Sequence, residues 1–126
     1  MRGAIYAYLM GLSAETGISE WKQPYTADAN SKKPYGVIVL GEDIQSVNNN
    51  KGAFRSLFIW PYFNPGSFVA VDKATRALKK ALHKQILITS QGDSFEIEWV
   101  NTGRDFKDDE LKTLTKRMEF RIPIIG

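Results

Sequence analysis

Residues 34–40 read Pro-Tyr-Gly-Val-Ile-Val-Leu, and this run of aliphatic, largely β-branched side chains predicts a buried β-strand. Residues 41–52 follow as a turn or a protruding hairpin tip, with asparagines at positions 48–50. The chain then returns over residues 53–63 in a second strand. The aromatic side chains on one face of this second strand are Phe54, Phe58, Trp60 and Tyr62. Because Arg55 is the only charged residue of the second strand, both of its faces are expected to be covered.

An amphipathic helix is predicted before this pair of strands and another after it. Between residues 4 and 14 apolar side chains recur at the spacing of one helix face, namely Ile5, Tyr8, Leu9 and Leu12. Gly17 is expected to end this helix. Ser67 is the predicted N-cap of the second helix. The apolar stripe of the second helix is Val71, Ala74, Ala77, Leu78, Ala81 and Leu82.

Three short strands are predicted towards the C-terminus, over residues 86–89, 95–99 and 118–124. The last two alternate apolar and charged side chains, which is typical of half-buried strands. Residues 108–114 are expected to form a weakly helical or looped connection, and Pro123 suggests an edge position near the end of its strand. The predicted fold is therefore a single α+β domain over residues 1–126, in the order α-β-β-α-β-β-β. A mainly antiparallel sheet of about five strands would pack against two helices.

Composition narrows the function. A chain of 126 residues with 43% hydrophobic residues is long enough for one globular core. The absence of cysteine excludes disulfides, thiolate zinc sites and a cysteine nucleophile. The net charge of +3 indicates mild basicity, weaker than that of dedicated nucleic-acid-binding proteins. No apolar run approaches the roughly 20 residues that span a bilayer, so no membrane partner is expected.

Candidate catalytic and metal-binding groups are few. His83 is the only histidine, and its place at the end of a helix favours an interaction with the helix dipole over a catalytic role. The acidic cluster is Asp105, Asp108, Asp109 and Glu110. It lacks the D-x-D-x-D-G-x₅-E spacing of a calcium loop, which favours a solvated connection or a patch that faces a basic neighbour.

The remaining charged positions have ordinary structural interpretations as well. Glu96 and Glu98 alternate along a strand, as on the solvated face of a sheet. The helix-end residues Lys79, Lys80 and Lys84 favour the helix dipole, but they also permit contact with nucleic-acid phosphates. We therefore expect no catalytic residue, no metal and no cofactor, and a protein that is not an enzyme.

Two long polar segments, residues 18–33 and 41–52, are expected to make contacts, since long loops in compact domains often bind something. The predicted subunit-interface residues are Trp21, Tyr25, Ile44, Val47 and Phe54. The basic residues predicted to face a lumen or phosphates are Lys32, Lys33, Lys51 and Arg104.

The chain resembles the tail terminator (tail completion) proteins of long-tailed bacteriophages. The resemblance rests on an initial helix, the strand that begins Pro34-Tyr35-Gly36, the break before Val71-Asp72-Lys73-Ala74, and the closing strand over residues 118–124. It is a resemblance of element order over most of the chain, and the segment 18–33 departs from it.

This resemblance implies a structural protein of the virion tail or neck, assembled in the host cytoplasm. Copies would form a ring, typically hexameric, on the head-proximal end of the tail tube. The implied partners are other copies of the chain, the tail tube protein, the head–tail connector or neck protein, and passing DNA in non-specific contact. The alternatives are a phage neck protein (head–tail stopper or adaptor) and a small basic nucleic-acid-binding module.

Overall fold

The computed structural model describes residues 1–18, 20–22, 34–45, 53–64, 68–108 and 113–124, apart from the side chains of residues 42–45, 53, 108 and 124. The helices within these ranges are α1 (Arg2–Met10), α2 (Ser13–Thr16) and α3 (Val69–Leu82). The strands are β1 (Trp21–Lys22), β2 (Tyr35–Gln45), β3 (Ala53–Tyr62), β4 (Gln85–Ile88), β5 (Ser94–Thr102), β6 (Phe106–Asp108), β7 (Thr113–Thr115) and β8 (Met118–Ile124).

Six of these strands form one sheet in the order β1-β2-β3-β8-β5-β4, and β6 pairs with β7 in a separate hairpin. β1 runs parallel to β2, and the other pairs are antiparallel. The predicted α+β class is therefore confirmed. The predicted element order is wrong in detail, since the structure adds α2 and β1. It also places the β6–β7 hairpin where a looped or weakly helical connection was expected.

The core lies between the helices and one face of the six-stranded sheet, which we call the core face. Its fully buried members include Ile5, Leu9, Leu57, Ile59, Val71, Leu78, Leu82, Ile97, Met118, Phe120 and Ile122. β3 directs Leu57 and Ile59 to this face. The side chains of Phe58 and Trp60 are half-buried on the opposite, outer face. Both faces of β3 were expected to be covered. The core face is covered completely, whereas the outer face is covered only in part.

The first helix is interrupted. α1 ends at Met10, and a separate turn of helix, α2, ends at Gly17. Gly17 has a φ of +78°, a left-handed conformation in which glycine carries no steric cost, so its predicted role as a helix terminator is confirmed. The hydroxyl of Tyr8 donates a hydrogen bond of 2.9 Å to the carbonyl oxygen of Ala81, which ties α1 to the end of α3.

α3 follows the predicted stripe at most positions. Val71, Ala74, Leu78 and Leu82 are buried, together with Thr75, whose hydroxyl donates to the carbonyl oxygen of Asp72. The N-cap position is occupied by Phe68, without a side-chain cap. The predicted cap, Ser67, lies outside the described residues.

β8 lies inside the sheet, between β3 and β5, so the edge position suggested by Pro123 is wrong for the strand as a whole. Pairing of β5 with β8 extends from Thr102↔Met118 to Glu98↔Arg121, with an irregularity after Trp99. Within the described chain, residues 94–97 pair with β4 alone. Among the described residues Pro123 therefore pairs with Phe54 of β3 but has no partner in β5, so one side of the strand is unpaired at this position.

Candidate interaction surfaces

Trp21 lies in the core instead of on a contact loop. Its side chain is 8% exposed, and β1 aligns it with Gly36 of β2. A Cβ atom added to Gly36 would overlap the six-membered ring of Trp21. The ring therefore packs directly on the backbone of β2. Because so little of the Trp21 side chain is exposed, it has little surface for the subunit contact that the sequence predicted.

Two other predicted contact residues are brought side by side. The backbone of Ile44 pairs with that of Phe54, and Phe54 is half-buried on the outer face of β3. Arg104, predicted to face a lumen or phosphates, is exposed in the turn after β5. The other predicted contact positions lie outside the described residues, namely Tyr25, Val47, Lys32, Lys33 and Lys51. Their roles stay predictions.

A row of aromatic rings runs along the outer face of β2 and β3. Tyr35 and Tyr62 stack with their centroids 5.1 Å apart, and the centroids of Phe58 and Trp60 are 6.0 Å apart. The guanidinium of Arg117 lies 5.2 Å from the centroid of the Phe58 ring. Aromatic pairs and cation–π contacts of this kind stabilise a half-buried sheet face.

The opposite edge of the sheet is formed by β4, which pairs with β5 on one side. Ile86 is 57% exposed and Ile88 is 68% exposed. A cleft of about 540 Å³ lies beside them, lined by Met1, Ile86, Asp93, Ser94, Phe95, Glu96 and Pro123. Sequence reasoning missed this apolar edge. The signal was available in the run Gln-Ile-Leu-Ile, which has no polar residue at the positions that alternate with Leu87.

Glu98 on the outer face is held by two cations. Arg121 Nε donates a hydrogen bond of 2.8 Å to Glu98 Oε2, and Lys84 Nζ lies 3.9 Å from Oε1. The hydrogen bond from Arg121 lowers the pKa of the Glu98 carboxyl group below its ordinary value. Glu96 and Glu98, the two carboxylates predicted to lie on the solvated face of a strand, share the outer face. Glu98 forms an ion pair there.

Replacement of Arg121 by glutamine should raise the pKa of Glu98 towards its ordinary value. Since the pKa is lowered in the folded state, the pair contributes stability above the unfolded pKa of about 4.3, and this contribution is lost as the pH falls through the lower folded pKa. The loss in the variant should be at most about 1 kcal/mol, because the pair is partly solvated. An NMR titration of the Glu98 carboxyl carbon measures the shift, with Arg117→Gln as the control. An unchanged Glu98 pKa in the Arg121 variant would contradict this assignment.

His83 has a structural role at the end of α3. It is the C-cap residue, and its Nδ1 accepts a hydrogen bond of 3.0 Å from the backbone N–H of Trp99. This contact joins the helix end to β5. It occupies the nitrogen that a general base or a metal ligand would offer.

A charged cleft of about 410 Å³ lies between α3 and the end of β5, lined by Asp72, Thr75, Arg76, Lys79, Trp99, Thr102 and Lys116. Lys116 Nζ lies 2.6 Å from Asp72 Oδ1 and 3.2 Å from Asp105 Oδ1. These carboxylates, Asp72 foremost, raise the pKa of Lys116. On the other side of the cleft, Lys79 Nζ lies 3.7 Å from the centroid of the Trp99 ring.

The carboxylates of this cleft therefore neutralise a lysine instead of converging on a vacant position. Within the described ranges, no group of three or more potential metal-ligating side chains is found. None of the helices in those ranges combines the length and the apolar character that crossing a bilayer requires. What the described surface offers is an apolar sheet edge at β4 and a basic exposed side of α3, which are features suited to binding.

No protein-family model and no curated protein matches the sequence. Among solved structures, the fold is similar to that of a chain in the virion of a native gene transfer agent particle. The TM-score is 0.65 at 17% sequence identity, and the match covers 100% of this chain and 95% of the other. The two chains therefore share a fold over their whole length.

Proposed function

We propose that this protein is a structural subunit of a phage or phage-like virion, and specifically a tail terminator that forms a ring at the head-proximal end of the tail tube. The observation that carries the proposal is the full-length fold match to a chain of a virion particle. The element order that suggested tail terminators in the sequence gives independent support. In this role the protein stops tube growth, joins the tail to the head connector and catalyses no reaction.

The β4 edge supports the proposal because a ring needs a heterologous contact, in which one surface of a subunit meets a different surface of the next. Among the described strands β4 is an edge strand with exposed Ile86 and Ile88, and the Gln85 side chain donates a hydrogen bond to the carbonyl oxygen of Ile86. An exposed apolar edge of this kind tends to pair with another chain unless it is protected. We infer that β4 contributes one half of the contact between neighbouring copies.

Sedimentation velocity of the purified protein, alone and with isolated tail tubes, tests the proposed role. We expect a ring-sized species, formed either at high protein concentration or on the tube end, and tubes that stop growing once it is bound. Binding to head connectors without binding to tubes would instead support a neck protein. A protein that stays monomeric and binds neither tubes nor neck proteins would contradict both.

The double substitution Ile86→Asp/Ile88→Asp should weaken ring formation while the subunit stays folded. Each isoleucine that becomes fully buried contributes roughly 1.5–3 kcal/mol, so losing both should weaken association by at least about tenfold. Met10→Asp/Phe106→Asp is the matched control, since it makes the same change in charge at two exposed apolar residues, which lie in α1 and β6. Circular dichroism checks the fold, and native mass spectrometry measures the oligomer. If the edge variant and the control assemble equally well, β4 is not part of the interface between copies.

A further inference from the structure

The positive charge of this protein is concentrated in α3 after its first turn and in the two residues that follow the helix. The whole chain has 17 basic and 14 acidic residues, but residues 73–84 contain five lysines and arginines and no aspartate or glutamate. The rest of the chain therefore has twelve basic residues against fourteen acidic ones. The net charge of +3 hides a strongly basic segment on an otherwise slightly acidic protein.

Three of these cations form a continuous line, which we call the α3 ridge: Lys73, Arg76 and Lys80. Their spacing of three and then four residues places them on one stripe of the helix, about 10 Å long at 1.5 Å per residue. All three are exposed, while Val71 and Leu78 bury the opposite side of α3 in the core. Packing of the helix therefore fixes the direction in which the ridge points.

Other cations beside the ridge already have partners. Lys79 lies over the Trp99 ring, and Lys116 is paired with Asp72 and Asp105. In contrast, no ion pair to a ridge residue is found among the described residues. Glu15 of α2 lines the groove of about 230 Å³ beside the ridge without pairing with it. Within the described part of the chain, the three like charges of the ridge thus lie close together without an ion pair.

We propose that the α3 ridge binds the phosphate backbone of duplex DNA without sequence specificity. Each strand of a duplex carries one phosphate per 3.4 Å of helix axis, so a ridge about 10 Å long spans about three phosphates. Few protein surfaces offer a comparable density of negative charge, which favours DNA over an acidic protein as the partner. A helix that reads DNA sequence carries side chains that reach the base edges between its basic residues. The ridge has only the small Ala77 at the intervening position, which favours binding without sequence specificity.

This inference rests on the charge distribution and stands apart from the ring role. A protein that binds DNA but forms no ring would support DNA binding by the α3 ridge and contradict the terminator role. A protein that forms a ring but does not bind DNA would support the terminator role and contradict DNA binding by the ridge. If both hold, the ridge marks the side of the subunit that contacts the genome.

The test is fluorescence anisotropy with a labelled 20-base-pair duplex between 50 and 200 mM NaCl. Three phosphate contacts predict a slope of log K against log salt near −2.7, which is about a 40-fold loss of affinity over this range. The variant Lys73→Gln/Arg76→Gln/Lys80→Gln should bind at least about tenfold more weakly at 50 mM and show a nearly flat salt dependence. Circular dichroism establishes that the variants are folded.

A matched control with the same change in net charge is Arg2→Gln/Lys107→Gln/Arg117→Gln, whose members are exposed and lie outside α3. It should keep most of the affinity and the salt slope. The conservative variant Lys73→Arg/Lys80→Arg should bind as the wild type does. Equal losses in the ridge and control variants, or no salt-dependent binding by the wild type, would overturn the proposal. So would competition by polyglutamate as effective as that by unlabelled duplex, because it would indicate an acidic protein partner.

Discussion

Replacement of Gly36 by alanine should lower the free energy of unfolding by about 3 kcal/mol, although alanine is normally the better residue in a strand. The added methyl group would overlap the ring of Trp21, which packs on the backbone at this position. The ring belongs to the buried core cluster, so moving it would disturb closely packed neighbours. Urea denaturation followed by circular dichroism measures the loss.

A double-mutant cycle gives the sharpest form of this prediction. Trp21→Ala alone should cost about 3–5 kcal/mol, as a large aromatic residue leaves the core. In that background the clash is gone, so adding Gly36→Ala should be neutral or stabilising by about 0.5 kcal/mol. The effect of one methyl group would thus change sign. If the two losses simply add, Trp21 is not what excludes a side chain at position 36.

Phe120→Ala should have a comparable effect, about 3–5 kcal/mol. Phe120 is 0% exposed, and its strand lies between β3, where it aligns with Leu57, and β5, where it aligns with Trp99. Such a loss is a large part of the 5–15 kcal/mol by which domains are usually stable. The variant should therefore unfold at a much lower urea concentration. Phe120→Leu, which keeps most of the volume, should cost no more than about 1.5 kcal/mol.

Trp60→Ala is a control for Phe120→Ala, because it removes an aromatic side chain from the outer face of the same sheet. From the sequence, Trp60 and Phe120 are equally good candidates for the core, but Trp60 is half-buried on the outer face. Its removal should cost about 1–2 kcal/mol, because part of the ring is already in water. A larger loss for Trp60→Ala than for Phe120→Ala would mean that the outer face is the better packed side of the sheet.

The sequence predicted the elements whose burial imposes a clear period. The stripe of α3 and the alternation along β8 recur often enough for the pattern to identify helix and strand. β1 could not be found in this way, since a strand of two residues has no period and its partner is 15 residues away. For the same reason Trp21 was interpreted as a loop aromatic when it is part of the core.

The sequence also could not predict which face of β3 packs against the helices. Both sides of this strand are apolar, so alternation reveals two faces without indicating which one meets the helices. The basic character of Lys79, Lys80 and Lys84 was evident from the sequence. The contact of Lys79 with Trp99 and the pairing of Lys116 with Asp72 were not, because they join residues far apart in the chain. These contacts show that Lys79 and Lys116 are engaged within the folded chain.

The position of β8 determines when the sheet is completed during synthesis. β8 is the last of the six strands to leave the ribosome, yet it joins β3 to β5. Before β8 is made, the described strands β1–β3 and β4–β5 have no strand pairing between them, so the sheet is completed only once residues 118–124 have been synthesised. A polypeptide that ends before β8 therefore lacks the strand that unites the two parts of the sheet. Because the last of the six strands lies in the middle, the continuity of the whole sheet depends on residues 118–124.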